Sequence, residues 1–464
     1  MIIGVDVGPT NTDAVLLEGD GDSHGARGDG AGDGVRGGQA LWAVKVPSLP
    51  GDAVGSLVAA VEALPREARA RATQLAVGLR VAGRAVAERA GLAQVGVLRI
   101  GGEAADGVRP LFGWPAELRD AVCAGTANVA GGGGLGPRDG APLDRDAVAR
   151  FGAELAGRAE AFAVSAVSAP ADGTQEREAA EILRAEAGAD VPVILSGEIG
   201  SLGLLRRENA TVLDAALCLL VARVADELTA ALPRLGLAPG AAVLVTRHDG
   251  TLMSLDYLRR QPGLSLGSGP ACTIRGAGLL SGLEDAVVAD IGERRARVGT
   301  LTAGYPQEAG PGGRIGGVPV SLRVPELLTV DAAAHRELAE AVDRMQTAAG
   351  RLPVVLVGGG AASVPDRALP GCEVLRPEHG GVAGAFGAAA SPVGGQHERI
   401  VRVASGRRLD AVRDEVRDLA RAGAVRAGAD PRRVRTVLEP ELTVPYVPDA
   451  LLLRARAFGP PLPL

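Results

Sequence analysis

Two stretches far apart in the chain place an aspartate and a glycine between apolar runs. The first is Met1-Ile-Ile-Gly-Val-Asp-Val-Gly-Pro-Thr-Asn-Thr-Asp13, and the apolar run Ala14–Leu17 follows it. This pattern predicts a β-hairpin with a polar tip. At such a tip Gly8 lets backbone N–H groups approach an anion, and Asp6 can hold a hydrated Mg²⁺. Short hydrogen-bond donors are added by Thr10, Asn11 and Thr12. An ordinary hairpin with a polar turn fits the same residues.

A second copy of this layout favours the phosphate interpretation. In Ala286–Leu301 an aspartate and a glycine, Asp290 and Gly292, again stand between apolar strands. A buried-looking strand, Leu352–Val357, then runs into the glycine turn of Gly358, Gly359 and Gly360. Two Asp-x-Gly hairpins with a later strand and glycine turn match the layout of the actin/sugar-kinase/Hsp70 ATPases. In that α/β fold two related RNase H-like domains each offer a phosphate hairpin, and the glycine turn approaches the adenosine.

Composition limits the classes of partner and compartment. The net charge of −6 and the pI near 5.6 argue against a nucleic-acid partner. The four cysteines are scattered without metal-ligand spacing, which is typical of thiols in a reducing cytoplasm. The sequence has no charged leader and no apolar stretch long enough to span a membrane. We therefore expect a cytoplasmic protein with neither membrane nor nucleic acid as a partner.

Arginine is an uninformative residue type in this chain. Lys45 is its single lysine, so almost all of the 49 basic residues are arginines. Together with the abundance of alanine and glycine, this pattern indicates coding bias rather than selection for guanidinium chemistry. No individual arginine is therefore predicted to be functional from its type alone.

The ordered motifs resemble the A-type, ATP-binding subunit of the hydantoinase/oxoprolinase family over nearly the whole chain. The resemblance begins with Gly4–Val15 and Gly91–Ile100, and it is most specific in Ser268–Ala277 with Ser281–Ala286. Further matching stretches are Leu195–Gly200, Arg207–Thr211, Asp249–Ser254, Val357–Gly360 and Arg376–Gly380. The resemblance implies an N-terminal domain over 1–195, a core domain over 196–399 and a small C-terminal α+β appendix over 400–464.

The resemblance also implies a chemistry. The family couples ATP hydrolysis to opening a cyclic amide such as a hydantoin or 5-oxoproline, through phosphorylation of the ring carbonyl. Asp6 and Asp290 would then order Mg²⁺ and water, as catalytic and metal-binding residues. The phosphates would be cradled by Gly8, Thr10, Asn11, Thr12 and Gly292, and the adenosine approached by Gly358, Gly359 and Gly360. Completing the hydrolysis would require a companion subunit, for example of B type.

Several residues depart from the family pattern at these loops. Pro9 stands for a glycine, Gly197 for a histidine, and Arg80 and Arg84 lie where hydroxyl and histidine side chains are usual. The stretch Glu293–Arg297 replaces small glycine and threonine residues. These changes keep a second hypothesis open: a catalytically impaired relative that serves as a nucleotide- or partner-binding regulatory subunit. The sequence leaves undecided whether the arginines bind phosphate or block it.

Three further expectations concern the middle of the chain. Leu266–Ala271 is glycine-rich and opens a helix, so its backbone N–H groups are predicted to face the nucleotide cleft. Glu208–Leu232 is predicted to form one long apolar helix with a break near Ala225. His248 is interpreted as a solvated histidine in a loop.

Overall fold

The computed structural model describes residues 1–18, 40–132, 141–200, 203–310, 313–347, 350–402, 409–444, 447 and 449–462. Across those ranges, no helix combines the length and the apolarity that a membrane crossing needs. The strands are β1 (Ile2–Val7), β2 (Asn11–Leu17), β3 (Ala40–Pro47), β4 (Gln74–Leu79), β5 (Val95–Ile100), β6 (Cys123–Val129), β7 (Ala161–Ala166), β8 (Val193–Leu195), β9 (Ala242–Thr246), β10 (Leu252–Ser254), β11 (Ala286–Ile291), β12 (Arg295–Thr302), β13 (Tyr305–Pro306), β14 (Arg314–Ile315), β15 (Val318–Pro319), β16 (Leu328–Asp331), β17 (Val354–Val357), β18 (Val374–Leu375), β19 (Val393–Arg402), β20 (Arg435–Leu438), β21 (Leu442–Thr443) and β22 (Ala450–Gly459).

The helices alternate with these strands, as an α/β chain requires. They are α1 (Ala53–Glu62), α2 (Arg66–Arg69), α3 (Val81–Glu88), α4 (Ala116–Val122), α5 (Arg145–Leu155), α6 (Thr174–Ala187), α7 (Ser196–Ile199), α8 (Leu204–Leu235), α9 (Leu255–Arg260), α10 (Ser268–Ser281), α11 (His335–Arg344), α12 (Ala383–Ala389) and α13 (Leu409–Arg426).

The largest sheet is built around β1. Its strand order is β20-β22-β19-β10-β9-β4-β1-β2-β3, with β21 paired to β22. β1 pairs with β2 as an antiparallel hairpin and with β4 in parallel, so the predicted first hairpin is confirmed. Ile3 and Val5 of β1 are fully buried. A strand buried on both faces reads as a continuous apolar run, which is the pattern of this segment.

The second sheet repeats the same arrangement. Its strand order is β13-β12-β11-β17-β18, and β16 pairs with β12. β11 and β12 form an antiparallel hairpin, while β11 pairs in parallel with β17. Each sheet therefore combines an Asp-x-Gly hairpin with a parallel third strand. This duplication is the predicted actin/sugar-kinase/Hsp70-like fold.

Helices α10 and α12 lie between the two sheets at backbone-contact distance. α12 packs on β1, β2 and β4, whereas α10 packs on β11, β12 and β17. A side chain at Gly276 of α10 would overlap the carbonyl oxygen of Ala383, and one at Gly387 of α12 would overlap that of Cys272. Glycine is required at both positions because any β-carbon would separate the helices.

A four-stranded parallel sheet, in the order β6-β5-β7-β8, forms a third layer. It packs against α8, which runs from Leu204 to Leu235 and keeps its helical conformation through Ala225. The predicted break near Ala225 is therefore wrong. Arg99 of β5 and Glu208 of α8 join the two layers by an ion pair with an N–O distance of 2.8 Å, and both side chains are buried.

The strands of the predicted C-terminal appendix continue the largest sheet. β22 pairs with β19 over their full length and also carries β20 and β21. α13 packs on β19 and β22. The segment 400–464 thus adds helix α13 and strands β20, β21 and β22 to the largest sheet, and the boundaries 1–195, 196–399 and 400–464 remain predictions.

Candidate functional site

The two candidate carboxylates lie at corresponding positions of the two hairpins. Asp6 is the penultimate residue of β1 and Asp290 the penultimate residue of β11. Burial is the main cause that raises the pKa of Asp290, and the negative charge of Asp6 raises it further. The positive charges of Arg80, Arg297 and Lys45 act in the opposite direction. The fold therefore brings both aspartates to one cleft, together with three cations.

Arg80 forms an ion pair with Asp6 in this cleft. It follows directly after β4, whose Gly78 lies opposite Asp6 in the parallel register. Its Nη2 lies 2.6 Å from Asp6 Oδ2, and its Nε donates to Asp6 Oδ1 at 3.4 Å. The charge of Asp6 is the main cause that raises the pKa of Arg80. Asp6 is thus held by a two-pronged, charge-assisted pair.

Asp290 faces a second arginine from the strand beside it. Arg297 is its direct partner in the β11–β12 register, and Arg297 Nη1 lies 3.8 Å from Asp290 Oδ2. Burial lowers the pKa of Arg297, and the positive charge of Arg80 lowers it further. The two guanidinium groups are therefore close enough to repel each other. An anion between them would relieve that repulsion.

At the tip of the first hairpin, only some of the predicted hydrogen-bond donors remain free to contact a ligand. Gly8 N–H donates to the Asn11 carbonyl at 3.0 Å, which closes the turn. Thr12 is fully buried and its hydroxyl hydrogen-bonds that of Ser48 at 2.8 Å. Ser48 in turn donates to the Gly8 carbonyl at 2.8 Å. The side chains of Thr10 and Asn11 remain exposed at the tip.

Ser48 is a structural residue that sequence reasoning missed. It follows β3 and its own N–H donates to the Thr10 carbonyl at 2.9 Å, so it ties the hairpin turn to the next strand. Only the pairing of β2 with β3 brings it there. The one available signal was the short polar side chain directly after a strand pattern.

The glycine turn lies against the second hairpin, and its approach to an adenosine stays a prediction. Gly358 has a left-handed φ of +87°, and a β-carbon on it would meet Asp290. Gly360 N–H donates to the Ile291 carbonyl at 2.8 Å. Gly359 has open space around its α-carbon. Gly292 N–H donates to the Arg295 carbonyl at 3.0 Å, so this donor is used inside the turn.

The start of α10 faces the same cleft, where it lies beside the guanidinium group of Arg80. A β-carbon on Gly269 would lie 2.9 Å from Arg80 Nε. The buried hydroxyl of Ser268 has no hydrogen-bond partner among the residues that the structure describes. A helix N-terminus carries a partial positive charge, so the guanidinium beside it is unfavourable unless an anion joins them.

Lys45 is a second residue that sequence reasoning missed. It lies on β3, pairs with Asp13 and donates to the Gly381 carbonyl at 3.3 Å. Asp13 stands opposite Asp6 in the β1–β2 register. Burial raises the pKa of Asp13, and Lys45 counteracts that rise. Its being the chain's single lysine was the signal that could have singled it out.

These contacts decide which groups the cleft accommodates. A hydrated Mg²⁺ fits Asp6 poorly, because Arg80 already donates to both carboxylate oxygens and would repel the ion. Nowhere in the described ranges do three His, Cys, Asp or Glu side chains gather into a metal-binding group. A phosphate fits better, since guanidinium groups and helix N–H groups both bind phosphate oxygens. The metal role of Asp6 and Asp290 stays a prediction.

His248 does not behave as the sequence indicated. It is 1% exposed, and burial lowers its pKa to about 4. Neither ring nitrogen has a hydrogen-bond partner among the described residues. The expectation of a solvated loop histidine is therefore wrong, because the loop after β9 is covered by the segments around Leu264 and Arg323.

Solved structures with the same fold support this description. The nucleotide-free structure of acetone carboxylase aligns with a TM-score of 0.70 at 14% identity, covering 100% of this chain and 88% of that one. The ATP-dependent caprolactamase from Pseudomonas jessenii aligns with a TM-score of 0.71 at 16% identity, covering 99% and 88%. A search of curated proteins finds no match.

Family models match most of the chain. The model of the hydantoinase/oxoprolinase N-terminal region matches residues 2–187, which include the first hairpin and Arg80. The hydantoinase/oxoprolinase model matches residues 207–336, which include α10 and the second hairpin. The two models match consecutive parts of the chain: the first contains Asp6 and the second contains Asp290. The chain therefore belongs to the hydantoinase/oxoprolinase family.

Proposed function

We propose that this chain is a nucleotide-binding subunit of its family in which guanidinium groups have taken the place of magnesium. The observation that carries the proposal is the two-pronged pair of Arg80 with Asp6, at 2.6 and 3.4 Å. On the second hairpin, Arg297 lies beside Asp290 and would take the place of a metal ion in the same way. The protein would bind ATP or ADP through its phosphates without metal, and would act as a regulatory partner rather than as a phosphoryl-transfer enzyme.

The physical reason is a competition for the same carboxylate oxygens. Phosphoryl transfer relies on metal ions that bridge phosphate oxygens and neutralise the developing charge. A metal at Asp6 would first have to displace Arg80 from a charge-assisted pair, which is about twice as strong as a neutral hydrogen bond. A phosphate instead gains from the excess positive field of Arg80, Arg297 and the start of α10. The cleft thus favours binding of a nucleotide over phosphoryl transfer from it.

Calorimetry with ATP tests this proposal, once in the presence of Mg²⁺ and once in the presence of EDTA. We expect equal or tighter binding in EDTA, because free ATP carries more negative charge than its magnesium complex. Arg80→Met should weaken binding in EDTA by about tenfold, the loss of one charge-assisted contact. Arg84→Met is the matched control, since Arg84 on the helix that follows Arg80 is exposed and pairs with Glu88. Binding that requires Mg²⁺, or an equal loss in both variants, would contradict the proposal.

A second candidate is an ATP-dependent, ring-opening hydrolase subunit that acts on a cyclic amide with a B-type or other companion. It is favoured by the corresponding positions of Asp6 and Asp290 on paired hairpins, the arrangement on which the family resemblance rests. Its test is ATP hydrolysis in Mg²⁺ with a panel of cyclic amides, namely a hydantoin, 5-oxoproline and caprolactam. Hydrolysis that a cyclic amide stimulates and that Asp6→Asn abolishes would establish this candidate over the first.

A further inference from the structure

A polar cavity of about 70 Å³ lies apart from the nucleotide cleft. Its wall is formed by α7, the loop after β9, the segment 261–264, the segment 321–323, and strands β19 and β22. None of the cleft residues Asp6, Arg80, Asp290 or Arg297 lines it. On the usual scale, in which one water needs roughly 10–15 Å³, it holds about five non-hydrogen atoms. The cavity is thus a separate candidate site for a small molecule.

Asp214 is the most informative side chain in this wall. It lies on α8, is 3% exposed, and accepts a hydrogen bond from the Gly263 N–H through Oδ1. No cationic side chain pairs with it in the described part of the chain. Burial raises its pKa to about 7, and the nearby charge of Glu198 contributes. A buried carboxyl that borders a cavity without a counter-ion is stabilised by any cation that enters.

Glu398 provides a second unmatched acceptor. Its Oε2 accepts a hydrogen bond from Arg454 Nε at 2.9 Å. Its Oε1 is buried and has no hydrogen-bond partner among the described residues, and neither has the buried hydroxyl of Ser321. Buried acceptors are almost always satisfied in folded proteins, so two of them on one cavity wall indicate a missing donor group.

Each arginine around the cavity forms an ion pair with at least one carboxylate, although Arg247 Nε has no hydrogen-bond partner among the described residues. Arg323 pairs with Glu308 and Glu439, Arg454 with Glu398, and Arg247 with Asp249 at 3.5 Å. Arg456 bridges Glu308 and Glu439. The cavity is lined by three of these arginines, Arg247, Arg323 and Arg454, and by three carboxylates, Glu198, Asp214 and Glu398. Asp214 has no cationic partner among the described residues, and Glu398 Oε1 has no hydrogen-bond donor. With Asp214 ionised, these two acceptors therefore favour a positively charged ligand.

We propose that this cavity binds the ammonium group of a small primary amine, with Asp214, Glu398 and the Ser321 hydroxyl as its acceptors. An ammonium group has three N–H donors, which matches the three acceptors. Ile199, Leu264 and Leu322 line the cavity as well and can contact a short alkyl stem. This site is independent of the proposed nucleotide function, because it shares no lining residue with that cleft.

Ligand-observed NMR or calorimetry of the full chain with n-propylamine tests the proposal, with 1-propanol and propionate as the neutral and anionic analogues. We expect a Kd of about 1 mM or below for the amine and no binding of either analogue. Glu398→Gln and Asp214→Asn should each weaken amine binding about tenfold, the value of one charge-assisted contact. Glu398→Gln retains an oxygen for Arg454, and Asp214→Asn retains one for Gly263, so both variants should stay folded.

Asp226→Asn is the control, because Asp226 lies on the same helix α8 but is largely exposed. It should leave amine binding unchanged, and thermal melting of all variants checks that each is folded. Equal binding of 1-propanol, binding of potassium ions in place of the amine, or unchanged affinity in folded Glu398→Gln and Asp214→Asn would each overturn the proposal.

Discussion

At the scale of single residues, the ion pairs at Asp6 and Asp290 set the chemistry of the cleft. Both carboxylates lie at corresponding positions of the two hairpins, and each faces an arginine. An arginine keeps its proton at any physiological pH, so the Arg80 guanidinium stays positively charged. In the proposed function, the phosphate of a nucleotide competes with Asp6 for Arg80. The expected affinity then depends on how strongly Arg80 interacts with the phosphate compared with Asp6.

Asp214 gives a prediction about pH and stability. Its pKa is about 7 in the folded protein against 3.8 unfolded, so the folded state binds this proton more tightly. The resulting stabilisation is complete below pH 3.8 and is lost as the pH rises through about 7. Asp214→Asn should remove this loss, raising the free energy of unfolding at about pH 8 by up to roughly 4 kcal/mol.

Denaturant unfolding at about pH 5 and about pH 8 measures this effect. The wild type should lose stability between the two values more steeply than Asp214→Asn does. Asp226→Asn, on the exposed side of the same helix, should follow the wild type. Parallel pH profiles for wild type and Asp214→Asn would refute the assignment of this titration to Asp214.

At the scale of elements, the crossing of α10 and α12 holds the two sheets together. Gly276 and Gly387 each lie against a backbone carbonyl of the opposite helix. Because main chain contacts main chain, the surroundings cannot yield as a flexible side chain would. Such a contact tolerates no added methyl group without displacement of a whole helix and the sheet behind it.

Two glycine substitutions test this crossing. Gly276→Ala should destabilise the protein by about 3 kcal/mol or more, because the new methyl group overlaps the Ala383 carbonyl. Gly83→Ala is the matched change, since Gly83 lies within α3 with open space around it. It should stabilise by about 0.5–1 kcal/mol through helix propensity. Thermal melting compares both, and a Gly276→Ala protein as stable as wild type would contradict the described helix contact.

The sequence predicts features formed by residues that are close together in the chain better than contacts between residues that are far apart. Both hairpins, the glycine turn and the start of α10 are local patterns, and all four were predicted. The ion pair between Arg80 and Asp6 was not predicted, because arginine is so frequent in this chain that no single arginine stands out. The bond between Ser48 and Thr12 depends on strand pairing across 36 positions. The continuation of the largest sheet into β22 depends on β19, and no short pattern specifies that neighbour.

At the scale of the whole molecule, a buried ion pair joins the four-stranded sheet to α8. Arg99 donates to both oxygens of Glu208 and also to the carbonyls of Ala105 and Val108. Both side chains are almost completely buried. A pair of this kind contributes little net stability when intact, whereas removing one partner leaves a buried charge unmatched. Its effect is to fix how the two layers meet.

A double-mutant cycle tests this layer contact. Arg99→Met should lower the free energy of unfolding by about 3–5 kcal/mol, because it leaves Glu208 charged and unpaired. The double change Arg99→Met with Glu208→Gln should recover part of that loss, since no unmatched charge remains. Chemical denaturation measures the wild type, Arg99→Met, Glu208→Gln and the double variant. Strictly additive losses would show that the two residues act independently.

The interlocked glycines of α10 and α12 also limit how the cleft can move. Helices whose backbones touch at fixed points cannot slide along each other, because each glycine would meet the next β-carbon. The two helices can still rotate slightly about the point where they cross. Displacement in a rotation grows with distance from its axis, so the hairpin tips of the two sheets travel furthest. We therefore expect closure of the cleft around a ligand to move Thr10 and Asn11 towards Glu293 and Arg294.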